Sequence, residues 1–230
     1  MKEMFTQSVF FGVLLTLGAY GIGMLLKRKT GWALMNPLLV AIVLVVAFLA
    51  LSGVSYKDYA AGSNIVSYML TPATICLAVP LYQQMELLKK NYRAVMAGIV
   101  AGVLSSLVTV LFLALLFHFD HASYVTFLAK SVTTAIGMGV SEELGGYVSV
   151  TIMSIIVTGV LGNIMAEKVL KWLKIEEPIA KGIAIGSSSH AVGTVKAMEM
   201  GAVEGAMSGL SIVVCGILTV LGSILFAMFY

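Results

Sequence analysis

Charge is scarce in this 230-residue chain. It has 14 Lys and Arg and 11 Asp and Glu, 11% of all residues, with 60% hydrophobic and a mean hydropathy of +1.02. A soluble domain carries about 25% charged residues, so this chain has too little polar surface to be a globule in water. Disorder is excluded by the same numbers, because disordered chains are poor in apolar side chains. The net charge of +3 is small and scattered, which argues against a nucleic-acid partner. Cysteine is nearly missing as well. Cys76 and Cys215 both fall in apolar stretches, and two such residues build neither a disulfide framework nor a zinc pattern. His190 alone makes no metal site, so no metal and no cofactor is expected. Motifs for catalysis are also absent: there is no HExxH, no G-x-S-x-G, and Asp58 and Asp120 are expected at the ends of apolar runs, outside the membrane. Ser189-His190 and Lys130-Ser131 are neighbours in sequence, which does not make a catalytic pair in space. The chain is therefore expected to be an all-α integral membrane protein, a non-enzyme with the lipid bilayer as its surroundings.

What is present is a series of long apolar runs. Residues 4–26, 30–56, 59–85, 94–117, 144–166 and 205–230 contain no Asp, Glu, Lys, Arg or His. Each is long enough for a helix to cross the hydrocarbon core, which takes about 20 residues. The first is too long for a signal-peptide core and ends at Lys27-Arg28-Lys29. Basic clusters tend to stay in the cytoplasm. That rule places 27–29, then Lys89, Lys90 and Arg93, then Lys168, Lys171 and Lys174 on one side. The last cluster obeys the rule only if 122–145 does not cross fully, so this segment is read as re-entrant. With 182–195 as a further span, the reading is a single membrane domain over 1–230 with seven crossings and one re-entrant segment.

Two 49-residue segments, 69–117 and 182–230, align at Ala78-Val79 with Ala191-Val192, Met85-Glu86 with Met198-Glu199, and Ile99-Val100 with Ile212-Val213. In the second copy Lys181 is read as cytoplasmic and Glu199 and Glu204 as external, opposite to the first copy. An inverted repeat of this kind is a sign of secondary transporters. Each copy starts with a polar interruption where a helix should break: Thr71-Pro72-Ala73-Thr74 in the first and 186–194 in the second. Broken helices expose N–H groups that attract anions. The candidate binding residues there are Thr71, Pro72, Thr74, Ser187, Ser188, Ser189, His190, Gly193 and Thr194.

A third polar insertion adds Lys130, Ser131, Thr133 and Thr134. A lysine at bilayer depth is costly and usually faces a cavity or a partner. Lys130 would oppose a substrate carboxylate or Glu142/Glu143, or else snorkel to the outer interface. Asn36, before Pro37, is either a further binding residue or a helix cap. Gly98–Gly102 and Gly182–Gly186 are small-xxx-small patterns suited to close helix packing. The ligand these features fit is a small organic acid, with histidine or lysine as a proton site.

The motifs resemble a known family. Asn36-Pro37-Leu38-Leu39-Val40-Ala41, Pro72-Ala73-Thr74 through Tyr82, Lys130 to Thr134, and Gly186 to Thr194 followed by Glu199-Met200-Gly201 look like the LrgB/CidB family, in order, over about residues 10 to 225. Ala135 replaces a proline common in relatives, and Lys196 an arginine. The resemblance implies a polytopic bundle with discontinuous helices, similar to cation:proton antiporter and anion-transporter folds. It also implies one of two roles at the cell membrane. One is secondary transport of small monocarboxylates such as pyruvate, lactate, glycolate or glycerate, as in the similar plastid glycolate/glycerate translocator. The other is antiholin-like or holin-like control of murein hydrolase activity and lysis, with a separate small LrgA/CidA-type membrane partner. A homodimer is the expected assembly.

Overall fold

The structure, a computed structural model, describes residues 10–32, 35–69, 72, 75, 76 and 78–230. All regular structure among them is helical. The chain divides into two compact units, Met1–Cys76 and Leu77–Tyr230. Four helices are long and apolar enough to span a membrane among the described residues: Phe11–Thr30, Met85–Phe117, Val148–Trp172 and Ala202–Ala227. The chain is thus a multi-pass helical membrane protein.

The N-terminal unit holds α1 (Phe11–Thr30), α2 (Pro37–Ser52) and α3 (Tyr56–Tyr68). Helix α1 packs on both others through its small residues. Gly12 faces the backbone of α3 at Tyr59 and Ser63, and Gly23 faces Pro37. Thr16 Oγ1 and the Tyr59 hydroxyl are 2.8 Å apart. Helix α2 starts where Asn36 Oδ1 accepts from the N–H groups of Leu38 and Leu39, with Pro37 in the first turn where its missing N–H costs nothing.

The second unit holds α4 (Ala78–Gln83), α5 (Met85–Phe117), α6 (His121–Leu128), α7 (Thr134–Glu143), α8 (Val148–Trp172), α9 (Pro178–Met200) and α10 (Ala202–Ala227). Helices α6 and α7 are about 12 and 15 Å long, too short to cross a bilayer core of about 30 Å. They form a hairpin with its turn at 129–133. Its base is closed by hydroxyls: Thr126 Oγ1 accepts from the Tyr147 N–H at 2.8 Å. The Thr151 hydroxyl lies 2.9 Å from the Thr126 carbonyl oxygen and 2.8 Å from Ser141 Oγ. The chain leaves Thr126, reaches Lys130 and comes back to the same level.

Helix α9 hides a second hairpin. His190 has φ 42° and ψ −141°, far outside the helical region, and the chain reverses there. Residues eight apart in a straight helix are about 12 Å apart, yet a Cβ on Gly193 would sit 3.0 Å from Ile185 Cγ2. The first limb runs alongside α10 in the same direction: Gly182 faces Glu204 and Met207, and Gly186 faces Ser208 and Ser211. The return limb runs against α10, with Gly205 on Met198 and the Thr194 and Ser208 hydroxyls 2.7 Å apart.

This reversal corrects two expectations. Residues 182–195 are not a crossing. Glu199 and Glu204 are not at the opposite end from Lys181: Lys181, Met200 and Glu204 line one cavity with Glu167, Lys171 and Lys174. Lys196 Nζ bridges Glu167 at 2.8 Å and Glu199 at 3.1 Å, at the same end. Acidic residues contribute little to membrane orientation, so Glu199 and Glu204 can lie at the same end as the lysines. The 59–85 run straddles the two units and lies partly outside the described residues.

Candidate functional site

A cleft of about 960 Å³ in the second unit lies between α5, α8 and the first limb of α9. One mouth is at Asn91, Glu177 and Ile179, near the basic start of α5; the cleft follows that helix to Ser106 and Thr109. Asn91 to Ser106 is about 22 Å along the helix axis. Small residues leave room for it: Ala94, Gly98 and Gly102 on α5 face Ala180, Ala184 and Ser187 on α9. At Gly102 a Cβ would come within 2.8 Å of Ser187 Oγ. At Gly162 on α8 a Cβ would overlap Ser189 Oγ, so glycine there seats the end of the first limb.

Lys130 enters this cleft from the turn of the α6–α7 hairpin. Its ammonium donates to Ser131 Oγ at 3.0 Å and to Ser106 Oγ at 3.2 Å. Ser106 lies midway along the charge-free run 94–117, which puts Lys130 near mid-depth of the span rather than at an interface. Among the described residues no carboxylate is within ion-pairing distance of it, and Glu142 and Glu143 are at the other end of α7. The expected pairing with those glutamates, and the snorkelling alternative, are both set aside by this geometry.

Of the residues selected from sequence, the fold gathers Lys130, Ser131, Ser187, Ser188 and Ser189 around one cleft. Ser188 is the exposed member of its trio, while Ser187 and Ser189 are buried. Others serve the architecture. His190 is buried, its Nε2 3.0 Å from the Ile155 carbonyl oxygen. Thr194 Oγ1 donates to the His190 carbonyl at 2.9 Å. Gly193 packs on Ser189 and Ile185. Thr133 is the N-cap of α7 and Thr134 its first residue, both half-buried. Asn36 belongs to the N-terminal unit as a helix cap, Pro72 is exposed, and Thr71 and Thr74 lie outside the described residues.

Sequence reasoning missed Ser105, Ser106 and Thr109 on α5 and Thr158 on α8. The signal was present: Asn91, Ala94, Gly98, Gly102, Ser105 and Thr109 recur at helical spacing along an otherwise apolar helix. Among the described residues no group of three His, Cys, Asp or Glu is placed to hold a metal.

The tip of the second hairpin yields a prediction. A positive φ is unfavourable for any residue with a Cβ, so His190→Gly is expected to be milder than His190→Ala although it removes more atoms. The difference should be about 1–2 kcal/mol in thermal or denaturant unfolding. A more stable alanine variant would mean that the reversal at 190 is not held as described.

The LrgB-like family model matches residues 16–229. This chain belongs to the LrgB-like family. It is 42% identical to the antiholin-like protein LrgB of Bacillus subtilis (strain 168) over 217 residues, 94% of each chain. It is 38% identical to the proteins of the same name from Bacillus mycoides (strain KBAB4) and Bacillus cereus (strain B4264), again over 94% of each. No solved structure matches it. The match takes in the second unit as far as residue 229, so the cleft and both hairpins of this LrgB-like chain lie inside the family's span.

Proposed function

We propose that this chain acts as an antiholin-like protein of the cell membrane, restraining lysis together with a small LrgA/CidA-type membrane partner. What supports this is kinship: the matched relatives carry that name at up to 42% identity across nearly their full length. Expression in a bacterium lacking its own member of the family should slow induced lysis and lower murein hydrolase activity in cell extracts. Unchanged lysis kinetics at matched membrane levels would defeat the proposal.

A second reading is favoured by the cleft: carriage of a small monocarboxylate. The observation behind it is the Lys130 ammonium, set at mid-depth among hydroxyls with no carboxylate partner among the described residues. An uncompensated cation in an apolar phase is costly unless a ligand offsets it, and an organic anion does so. Two hairpins, one with its turn at Lys130 and one at His190, also fit a carrier with its site between broken helices. Both readings hold together if restraint of lysis follows from movement of the acid. The Lys130→Met variant separates them, since lysis control independent of the cleft survives that change and control through carriage does not.

A further inference from the structure

Lys130 and His190 stand at the two hairpin tips, and either is a chemically reasonable proton site. The fold treats them differently. His190 is 3% exposed, does not line the cleft, and has Nε2 against the Ile155 carbonyl, where an N–H must point. Lys130 faces the cleft with Ser106 and Ser131 as its partners. A hydroxyl oxygen accepts from an ammonium and from a neutral amine, and its O–H can donate to the amine lone pair. The site is therefore satisfied in either protonation state.

Among the described residues, no other charged side chain stands beside Lys130 to pin its state. Ser105, Ser106 and Thr109 face the cleft from α5, Thr158 from α8, and Ser187 to Ser189 from α9. Glu177, at the distant mouth, is the other titratable residue of the lining. We propose that Lys130 is the proton carrier of the transport cycle and that it takes up one proton with each carboxylate anion. This deepens the carriage reading and rests on it. When the anion binds, the amine gains a proton and the ammonium–carboxylate pair is neutral overall. On release, the anion and the proton leave on the same side, and the empty site returns as a neutral amine. Neither form moves net charge through the apolar phase, and one proton crosses per anion.

Arginine tests this, because its guanidinium can attract a carboxylate but does not give up its proton. Wild-type protein and Lys130→Arg would be reconstituted in liposomes and given labelled pyruvate in two modes. Counterflow, with pyruvate on both sides, never requires the empty site to return. Net uptake driven by an inward proton gradient does. In the wild type, net uptake should acidify the lumen by one proton per pyruvate. In Lys130→Arg both modes should fall, and the ratio of net uptake to counterflow should drop by roughly 100-fold, the cost of returning a charged empty site. An unchanged ratio overturns the proposal. So does wild-type net uptake without lumen acidification, and this measurement decides the matter if the arginine variant loses both modes. Absence of wild-type counterflow with pyruvate, lactate, glycolate and glycerate removes the carriage reading itself, an outcome distinct from failure of the proton step.

Discussion

Gly186→Val is expected to lower the unfolding temperature by about 6–12 °C. Gly186 lies on the first limb of the α9 hairpin, against the middle of α10. A Cβ there would come within 2.8 Å of Ser208 Cα and of Ser211 Cβ, and would also meet the Ser208 carbonyl oxygen. Most of those atoms are backbone, so they cannot swing aside as a side-chain end would. Overpacking of a tight site costs typically about 1–3 kcal/mol, and a backbone clash belongs at the top of that range. For a unit of this size each kcal/mol moves the midpoint by about 2–4 °C. Gly139 on α7 is the control, because a Cβ there meets nothing within 4 Å. Gly139→Ala should raise stability by about 0.5–1 kcal/mol through lower chain entropy in the unfolded state. Equal shifts for the two variants in a melting experiment would contradict the packing of α9 on α10.

Lys130→Met should move stability and transport in opposite directions. Methionine has similar length, is flexible, and carries no charge. A lysine at mid-bilayer costs about 2.5–3.5 kcal/mol on insertion scales. The hydrogen bonds to Ser106 and Ser131 offset part of this, so the variant is expected to gain about 1–2 kcal/mol. Those two hydroxyls are 3.4 Å apart and can serve each other once the ammonium is gone. A charge-assisted hydrogen bond to a carboxylate is worth about 1.5–3 kcal/mol, so apparent affinity for the anion should weaken by about 10–100-fold. Thermal melting and pyruvate uptake on the same preparations check both halves. A destabilised variant would make Lys130 a structural residue; a stabilised one with wild-type uptake would take the cleft off the transport path.

The long helices were legible because each is coded by a local quantity. The runs 94–117, 144–166 and 205–230 lie within or against α5, α8 and α10, and the polar insertion at Lys130 is where the chain turns between α6 and α7. The second hairpin was only half legible. The polar stretch 186–194 announced a break, but nothing in it says that a single residue, His190, carries the whole reversal. A turn at positive φ is usually written with glycine, and Gly186 and Gly193 were the obvious places to look. Instead those glycines allow close packing, on α10 and on the opposite limb.

The candidate site divides the same way. Composition singled out Lys130, because a lone cation in an apolar phase is conspicuous wherever it sits. Ser106 is inconspicuous, a serine in a long apolar helix that could equally bond to its own backbone. It matters because the hairpin turn is brought against the middle of α5, 24 residues earlier in the chain. By itself, the sequence determined solvent, the long spans at α1, α5, α8 and α10 and the identity of the exceptional charge, since these follow from transfer free energies summed along the chain. Direction of travel after His190, the company Lys130 keeps, and the demotion of His190 from ligand candidate to anchor were decided by tertiary structure. Those depend on which surfaces meet, and steric fit between glycine faces far apart in sequence is not a sum over residues.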